Sequence, residues 1–345
     1  MRELQASPMR ITVLLGGTSS ERDVSTASGL RISEALRTRG HDVRLVDPAT
    51  GSIDADSERT LRLTSVRTAP PSVEELAGLA SRANLARLPE LEDVRWAEVV
   101  FIGLHGGVGE DGTLQALLDL AGIRYTGSGH LASALAMDKD LSKRLFLDSG
   151  IATAEWLMAP ASADRVERHL GFPVVVKPSK QGSTVGLSIV RERAELSPAV
   201  AEAKRHDDEV MIERFIPGRE MTVGVLGGQA LPVGEIKPKH EIYDYECKYT
   251  PGMATEEFPA DLPASVAARM KAQAVAAYRA LKLGGCARID FRLSPDGVAY
   301  CLEANTLPGM TELSLIPQGA VAAGITFPEL CERIAVLARE EPSSA

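Results

Sequence analysis

Two apolar runs joined by a four-residue turn constrain the fold of this chain more than any other stretch. The runs occupy 286–293 and 298–303, and the sequence S-P-D-G lies between them at 294–297. Proline presets φ, aspartate caps a turn and glycine accepts a positive φ, so these residues have strong turn chemistry. Apolar runs on both sides of such a turn predict an antiparallel β-hairpin.

The polar residues of this hairpin predict a metal site. Arg288 and Asp290 alternate with apolar residues, so they share one face of the first strand. The second strand ends in Glu303 and Asn305, and pairing across the turn brings Asp290 close to Glu303. Carboxylate and amide oxygens suit Mg²⁺, which completes its shell with substrate phosphates. A solvated sheet face would explain either acid alone, but it does not explain acids at matching ends of two apolar strands.

Composition and charge exclude several classes of protein. At 345 residues the chain is long enough for two or three domains, and its 44% hydrophobic and 25% charged residues are typical of a globular protein. The net charge of −9 and the lack of a long basic run argue against a nucleic-acid partner. With no apolar leader and no run long enough for a bilayer, we expect a cytoplasmic protein without a membrane partner.

The N-terminal part of the sequence predicts a doubly wound α/β domain. An apolar run at 11–15 leads into a glycine-rich turn, a helical pattern and a second strand. This order places 16–21 outside the carboxyl ends of the strands, where such folds bind ligands. The segment 105–112 contains four glycines, which predicts a close backbone approach or positive φ. Residues 51–72 have no clear period, and we expect a surface excursion there.

The middle of the chain places two lysines and an acid near a glycine-rich loop. Lys139 lies on a predicted helix over 131–148, Lys177 ends a predicted strand, and the loop 178–186 follows it. Such a loop can hold phosphates through its backbone N–H groups while a lysine adds positive charge. Glu213 ends another predicted strand. Each feature has a plain alternative: a polar hairpin loop, a solvated helix face or an edge charge.

The loop 240–252 contains half of the tyrosines in the chain. Such a concentration of amphipathic rings favours a lid that closes over substrate and excludes water, although a small apolar cluster under the loop would also explain it. A break at 215–218 is a candidate hinge. Together the lysines, the acids and the lid predict a two-lobed clamp for a nucleoside triphosphate with Mg²⁺.

Six long motifs, in chain order, resemble those of one family. They are LLGGTSSERDVS, LHGGVGEDGTLQ, YTGSG-x-x-ASALAMDK, VVVKPSKQGSTVG, YDYECKYTPG and ARIDF…LEANTLPGMTELSLIP. Together they resemble the D-alanine–D-alanine ligases of the ATP-grasp superfamily. The resemblance implies an α/β, three-domain ATP-grasp architecture. An N-terminal doubly wound α/β domain would occupy 1–128, a small α+β lobe 129–216, and a C-terminal α+β lobe with antiparallel sheet, metal site and lid 217–345.

The resemblance also implies an activity. Two D-alanine molecules would be joined to D-alanyl-D-alanine through an acyl phosphate, with release of ADP and phosphate, for peptidoglycan precursors. ATP, two Mg²⁺ ions (Mn²⁺ as a substitute) and a homodimer belong to this expectation. A ligase whose second substrate is D-serine or D-lactate stays open as an alternative, as does a catalytically silent ATP-binding protein.

Matching motif positions give each site residue an implied role. The residues implied at ATP are Lys139, Lys177 and Lys248 at the phosphates, Glu213 and Ile216 at the adenine, and Glu220 at the ribose. The implied metal ligands are Asp290, Glu303 and Asn305. The implied catalytic residues are Arg288 and the Gly309 N–H as oxyanion hole, with Glu21, Ser183 and Tyr249 around the amino groups. The implied substrate contacts are His105 for the first substrate, and Ser314 and Leu315 for the carboxylate end of the second. For His105 a satisfied loop histidine is an equally good interpretation.

Overall fold

The N-terminal part of the chain forms a mostly parallel sheet flanked by helices. The computed structural model describes residues 6–63, 67, 71–81, 83–182, 184–242, 247, 250 and 252–340. The strands of this sheet are β1 (Arg10–Leu14), β2 (Asp42–Asp47), β3 (Gly51–Ile53) and β4 (Val99–Ile102). Their order is β3-β2-β1-β4, with β1 parallel to β2 and β4 and with β3 antiparallel to β2. The helices are α1 (Arg22–Thr38), α2 (Ala55–Leu61), α3 (Val73–Ala80), α4 (Glu92–Trp96) and α5 (Thr113–Leu120).

The first part of the predicted surface excursion at 51–72 contains regular structure that its sequence does not suggest. It contains β3, which extends the sheet, and α2, which is fully described and buries none of its residues. Asp54 caps this helix by accepting a hydrogen bond from the backbone N–H of Ser57 at 2.8 Å. An exposed helix without an apolar face gives no 3.6-residue period, which is why the sequence pattern missed it.

The central part of the chain forms an antiparallel sheet with helices beside it. Its strands are β5 (Trp156–Met158), β6 (Val174–Pro178), β7 (Ser188–Val190) and β8 (Val210–Arg214), in the order β5-β8-β6-β7. Its helices are α6 (His130–Met137), α7 (Lys139–Asp148), α8 (Ala163–His169) and α9 (Arg193–Ala203). The sequence analysis did not predict β5 and α8.

The single helix predicted over 131–148 is wrong, because the chain breaks there into α6 and α7. Asp138 leaves the helical conformation, and its side chain accepts a hydrogen bond from the backbone N–H of Leu141 at 3.0 Å. The break makes Lys139 the first residue of α7. Its backbone N–H reaches the carbonyl of Ser179 in the glycine-rich loop at 3.3 Å.

The C-terminal part contains a five-stranded antiparallel sheet. Its strands are β9 (Arg219–Leu226), β10 (Gln229–Pro238), β11 (Ala254–Glu257), β12 (Cys286–Leu293) and β13 (Ala299–Asn305), in the order β11-β10-β9-β12-β13. Its helices are α10 (Ala264–Ala280), α11 (Leu315–Ala322) and α12 (Phe327–Glu340). The predicted hairpin is confirmed as β12 and β13, whereas β10, β11 and α11 were not predicted. Within the described ranges, no helix has both the length and the apolar character that a membrane crossing requires.

A buried ionic cluster joins α12 to the end of α1. Arg39 lies 2.6 Å from a carboxylate oxygen of Glu332, and Nε2 of His41 lies 3.3 Å from the other. The backbone N–H of Met9 donates to Nδ1 of His41 at 3.1 Å. Burial lowers the pKa of His41 from 6.5, although Glu332 opposes this shift. The imidazole is therefore neutral in the fold near neutral pH.

This cluster predicts that acid weakens the fold. In the unfolded chain His41 binds a proton near pH 6.5, whereas the folded protein resists that proton until a lower pH. The stability that neutral His41 contributes is thus present above pH 6.5 and is lost as the pH falls through the folded pKa. In urea titrations at pH 7.5 and 5.5, the His41→Gln variant should lose less unfolding free energy between the two than the wild type. The exposed His169 gives the control variant, His169→Gln, and equal pH dependence in all three proteins would contradict the prediction.

Candidate active site

Two adjoining pockets collect the residues that the sequence analysis selected. The loop pocket lies between the N-terminal loops and the segment 305–314, and the sheet pocket lies between the central and C-terminal sheets. Described candidates in the loop pocket are Glu21, His105, Lys139, Arg288, Glu303, Asn305, Gly309, Ser314 and Leu315. Those in the sheet pocket are Lys139, Lys177, Glu213, Ile216, Glu220, Arg288, Asp290, Glu303 and Leu315. Ser183, Lys248 and Tyr249, with most of the predicted lid, lie outside the described residues.

The hairpin aligns its polar residues across the strand pair as predicted. Asp290 pairs with Glu303 and Arg288 pairs with Asn305, next to an irregularity in the β12–β13 register. The guanidinium of Arg288 binds the carboxylate of Asp290 through Nε at 2.9 Å and Nη2 at 2.8 Å. Thr222 on β9 donates its hydroxyl to the same carboxylate at 2.7 Å. These bonds hold the Asp290 carboxylate in one orientation within β12.

The donor atoms at this strand end fit a hard divalent cation. Two carboxylates and one amide are present, and the amide oxygen of Asn305 accepts from the backbone N–H of Leu307 at 3.0 Å, which fixes its orientation. Over the described ranges, no group of three or more His, Cys, Asp or Glu residues could hold a metal. A set of two carboxylates and an amide is instead what Mg²⁺ accepts when phosphates complete its shell.

Lys139 connects the glycine-rich loop to Glu303, one of the candidate metal ligands on β13. Its ammonium group donates to the carbonyl of Gln181 at 2.7 Å and lies 3.2 Å from a carboxylate oxygen of Glu303. Lys139 is only 6% exposed, so the solvated-face interpretation is wrong. A buried ammonium group between the glycine-rich loop and a carboxylate is suited to binding an anion that enters the site.

Glu213 is the centre of a buried lysine–glutamate–lysine group. Lys177 donates to one carboxylate oxygen of Glu213 at 2.7 Å, and Lys143, which is completely buried, donates to the other. Burial would raise the pKa of Glu213, but the two ammonium groups lower it to about 2. Glu213 is therefore anionic and internal, and the edge-charge interpretation is wrong.

The sequence analysis missed Lys143. The only local signal was its spacing, four residues after Lys139, which places both ammonium groups on one face of α7. Lys143 also donates to the hydroxyl of Thr153 at 2.6 Å, and Thr153 donates to the carbonyl of Cys301 on β13 at 2.7 Å. This chain of bonds ties the central sheet to the strand that carries Glu303.

Removing Lys143 should destabilise the protein. The Lys143→Met variant leaves Glu213 with one cation in place of two, and breaking a buried ion pair costs about 3 kcal/mol or more. Urea titration should therefore give a loss near that size, and Lys143→Met with Glu213→Gln should lose less than the sum of the two single variants. Lys204→Met, at an exposed position, serves as the control. An additive double variant would mean that the two side chains act independently.

The loop pocket has a carboxylate pair that the sequence analysis only half recognised. Glu21 and Glu110 are both buried, each 8% exposed. Burial, reinforced by the negative charge of Glu21, raises the pKa of Glu110 to about 8. Gly106 has φ +70°, and a Cβ there would lie 2.9 Å from a carboxylate oxygen of Glu21. The close backbone approach predicted for the glycines of 105–112 is therefore real at this position.

His105 is fully engaged within the protein. Its Nδ1 lies 2.9 Å from the carbonyl of Leu307, so Nδ1 carries the proton and donates. Its Nε2 then accepts from the hydroxyl of Ser28 at 2.9 Å. Burial lowers the pKa of the ring, although the charge of Glu21 opposes that shift, and the imidazole is neutral. This geometry favours the satisfied loop histidine, while direct contact with a substrate stays a prediction.

Gly309 and Ser314 lie against each other at the other wall of the loop pocket. A Cβ on Gly309 would lie 2.6 Å from the hydroxyl oxygen of Ser314, so a side chain there would displace it. That oxygen accepts from the backbone N–H of Thr311 at 2.9 Å, which closes the turn before α11. Leu315 is the first residue of α11 and lines both pockets.

Comparison with known proteins gives one consistent family. The family model described as D-ala D-ala ligase N-terminus matches 10–128, and the model described as D-ala D-ala ligase C-terminus matches 146–336. A D-alanine–D-alanine ligase from Anaeromyxobacter sp. is 43% identical over 329 residues, covering 94% of this chain and 95% of the relative. A solved D-alanine–D-alanine ligase from Bacillus anthracis complexed with ATP is 31% identical, with a TM-score of 0.72 and coverage of 97% and 99%. A D-Ala:D-Ser ligase from Enterococcus faecalis is 29% identical, with a TM-score of 0.79 and coverage of 96% and 100%.

Proposed function

The chain belongs to the D-alanine–D-alanine ligase family and is an ADP-forming ligase, and we propose that it joins two D-alanine molecules through an acyl-phosphate intermediate. The carboxylate of one D-alanine takes the γ-phosphoryl group of ATP, and ADP leaves. The amine nitrogen of the second D-alanine then attacks the acyl carbon. The bond from that carbon to the phosphate oxygen breaks with its electron pair, and the amine loses a proton. The dipeptide supplies peptidoglycan precursors.

One observation carries this proposal: the loop pocket and the sheet pocket share Lys139, Arg288 and Glu303 as a common wall. A nucleotide in the sheet pocket and a carboxylate in the loop pocket would therefore meet at two cations and an acid. Phosphoryl transfer depends mainly on positioning and charge neutralisation, and this wall offers both.

We assign the nucleotide contacts to the sheet pocket. Lys139, Lys177 and Lys248 would neutralise the phosphates. Glu213 and Ile216 would face the adenine, and Glu220 the ribose. Asp290 and Glu303, with Asn305 from the adjoining loop pocket, would hold Mg²⁺ or Mn²⁺, which supplies charge neutralisation at the phosphates when bound. The surroundings of Glu213 support this assignment. Lys177 and Lys143 share its buried carboxylate, so one ammonium group can turn to an incoming anion while the other stays paired with Glu213.

The acyl-transfer contacts belong to the loop pocket. Arg288 and the Gly309 N–H would stabilise the oxyanion of the tetrahedral intermediate. Glu21, with Ser183 and Tyr249, would bind the amino groups and provide the route for the proton. Ser314 and Leu315 would hold the carboxylate end of the second substrate, and His105 would lie near the first. The tyrosine-bearing loop would exclude water, which otherwise hydrolyses an acyl phosphate.

The proposal includes a homodimer, a cytoplasmic location, and domains at 1–128, 129–216 and 217–345. These parts rest on the family and on the sequence pattern. D-Serine as the second substrate is a second candidate, since the solved D-Ala:D-Ser ligase is similar in fold over 96% of this chain.

The test is phosphate release with ATP, Mg²⁺ and D-alanine, with L-alanine as control and mass spectrometry of the product. Phosphate in equal amounts with D-alanyl-D-alanine is the expected result. If D-alanyl-D-serine or D-alanyl-D-lactate forms when D-serine or D-lactate competes, the assignment of the second substrate changes. Protein that binds ATP but releases no phosphate with D-alanine, alone or together with D-serine or D-lactate, would contradict the proposal.

A further inference from the structure

The segment that carries Gly309, which follows β13, is held by residues of the N-terminal part of the chain. The Nδ1–H of His105 donates to the carbonyl of Leu307 at 2.9 Å, and the backbone N–H of Met310 donates to the hydroxyl oxygen of Ser28 at 3.3 Å. Ser28 lies on α1, and His105 follows β4. Because Leu307 and Met310 lie on either side of Gly309, these two bonds fix the short stretch of backbone to which the Gly309 N–H belongs.

The hydroxyl of Ser28 links the two bonds into one unit. Since Nδ1 of His105 carries the proton, Nε2 is an acceptor. The hydroxyl of Ser28 donates to Nε2, with 2.9 Å between the oxygen and the nitrogen. The oxygen of the same hydroxyl accepts from Met310. Ser28 is 0% exposed and His105 is 5% exposed, so bulk water is not at hand to replace either bond.

We propose that Ser28 is a positioning residue for acyl transfer, acting through His105 and Met310 to hold the Gly309 N–H. This inference rests on the proposed function, which gives that N–H to the tetrahedral oxyanion. Ser28 is not among the described residues that line the loop pocket or the sheet pocket, so its effect is indirect.

The position of Ser28 predicts which chemical step it affects. The ATP contacts belong to Lys139, Lys177 and Glu213, which Ser28 does not contact in any described bond. An oxyanion donor matters when the amine attacks, because the charge develops at that point. A displacement of about 1 Å at a reacting group costs up to ~10²-fold in rate. The Ser28→Ala variant should therefore lower kcat by about tenfold to a hundredfold without weakening ATP binding.

The test compares return of the acyl phosphate to ATP with net turnover. ATP labelled with ¹⁸O at the β,γ-bridge is mixed with Mg²⁺ and D-alanine, and the migration of label to non-bridging β-positions is measured alongside phosphate release. Slower attack by the amine lets more acyl phosphate return to ATP. In Ser28→Ala the ratio of exchange to release should rise at least fivefold, and the dissociation constant for ATP should stay within twofold.

Two further variants provide a second test of the positioning role and a control. His105→Gln removes the imidazole that holds the Leu307 carbonyl and should raise the same ratio. Ser33→Ala removes a buried hydroxyl from the same helix, which donates to the carbonyl of Leu30 at 2.7 Å and is not bonded to Ser28, His105 or Met310, and should leave the ratio unchanged. Partial unfolding lowers exchange and release together, so it does not change the ratio.

The outcomes separate the inference from the function on which it rests. An unchanged ratio in Ser28→Ala and His105→Gln would overturn the positioning role and leave the ligase activity standing. Wild-type protein that releases no phosphate with D-alanine would overturn the proposed function itself.

Discussion

Glu303→Gln is expected to lower kcat by about 10²–10³-fold and to raise the Mg²⁺ concentration needed for half-maximal rate. The change removes one of two carboxylates at the strand end and also the charge that Lys139 contacts at 3.2 Å. Phosphoryl transfer depends on the charges arranged around the phosphates, and loss of one such contact typically costs about this much. Phosphate release over a titration of Mg²⁺, together with direct binding of Mn²⁺ to the ATP complex, measures both effects.

The control for Glu303 is Glu235 on the neighbouring part of the same sheet. Glu235 is buried and paired with Arg219 at 2.6 Å, but it lines neither pocket among the described residues. Glu235→Gln should cost stability without changing the Mg²⁺ requirement. If Glu303→Gln turns over near the wild-type rate at saturating Mg²⁺, the metal assignment is wrong.

Arg288→Ala should lower kcat by about 10²–10³-fold while the dissociation constant for ATP changes only a few-fold. Arg288 lines both pockets. In the proposed reaction its guanidinium would stabilise the charge that develops on the oxygen of the acyl carbon. A contact that strengthens only in the transition state affects kcat and kcat/KM equally. Steady-state kinetics for both substrates and equilibrium binding of ATP separate the two quantities.

Arg292 gives a matched comparison on the same strand. It lies four residues after Arg288, donates to the carbonyl of Ile216 at 3.2 Å and lies 3.4 Å from Glu220, in the sheet pocket only. Arg292→Ala should therefore raise the KM for ATP more than it lowers kcat. Equal losses of kcat and ATP affinity in Arg288→Ala would assign Arg288 to ground-state binding.

Short-range sequence patterns predicted the parts of the site that lie along single elements. The hairpin followed from turn chemistry and alternation, and its strand register brought Asp290 opposite Glu303 as expected. The motifs of the family assigned the candidates, and every described one lines a pocket. The break at Asp138 was missed because a capping aspartate inside a continuous apolar pattern resembles an ordinary surface position.

Local chemistry thus determined the hairpin, the glycine-rich turns and the paired acids on the two strands, because each depends on neighbours a few residues away. Only the tertiary structure decided that Lys143 and Lys177 share Glu213, and that His105 and Ser28 hold the backbone around Gly309. The partners of these bonds lie between 36 and 282 residues apart in the chain. No local period or spacing encodes such pairs, since packing of separate sheets and helices brings them together. These contacts then set the charges: the two lysine ammonium groups keep Glu213 anionic against the effect of burial, whereas burial keeps His105 neutral.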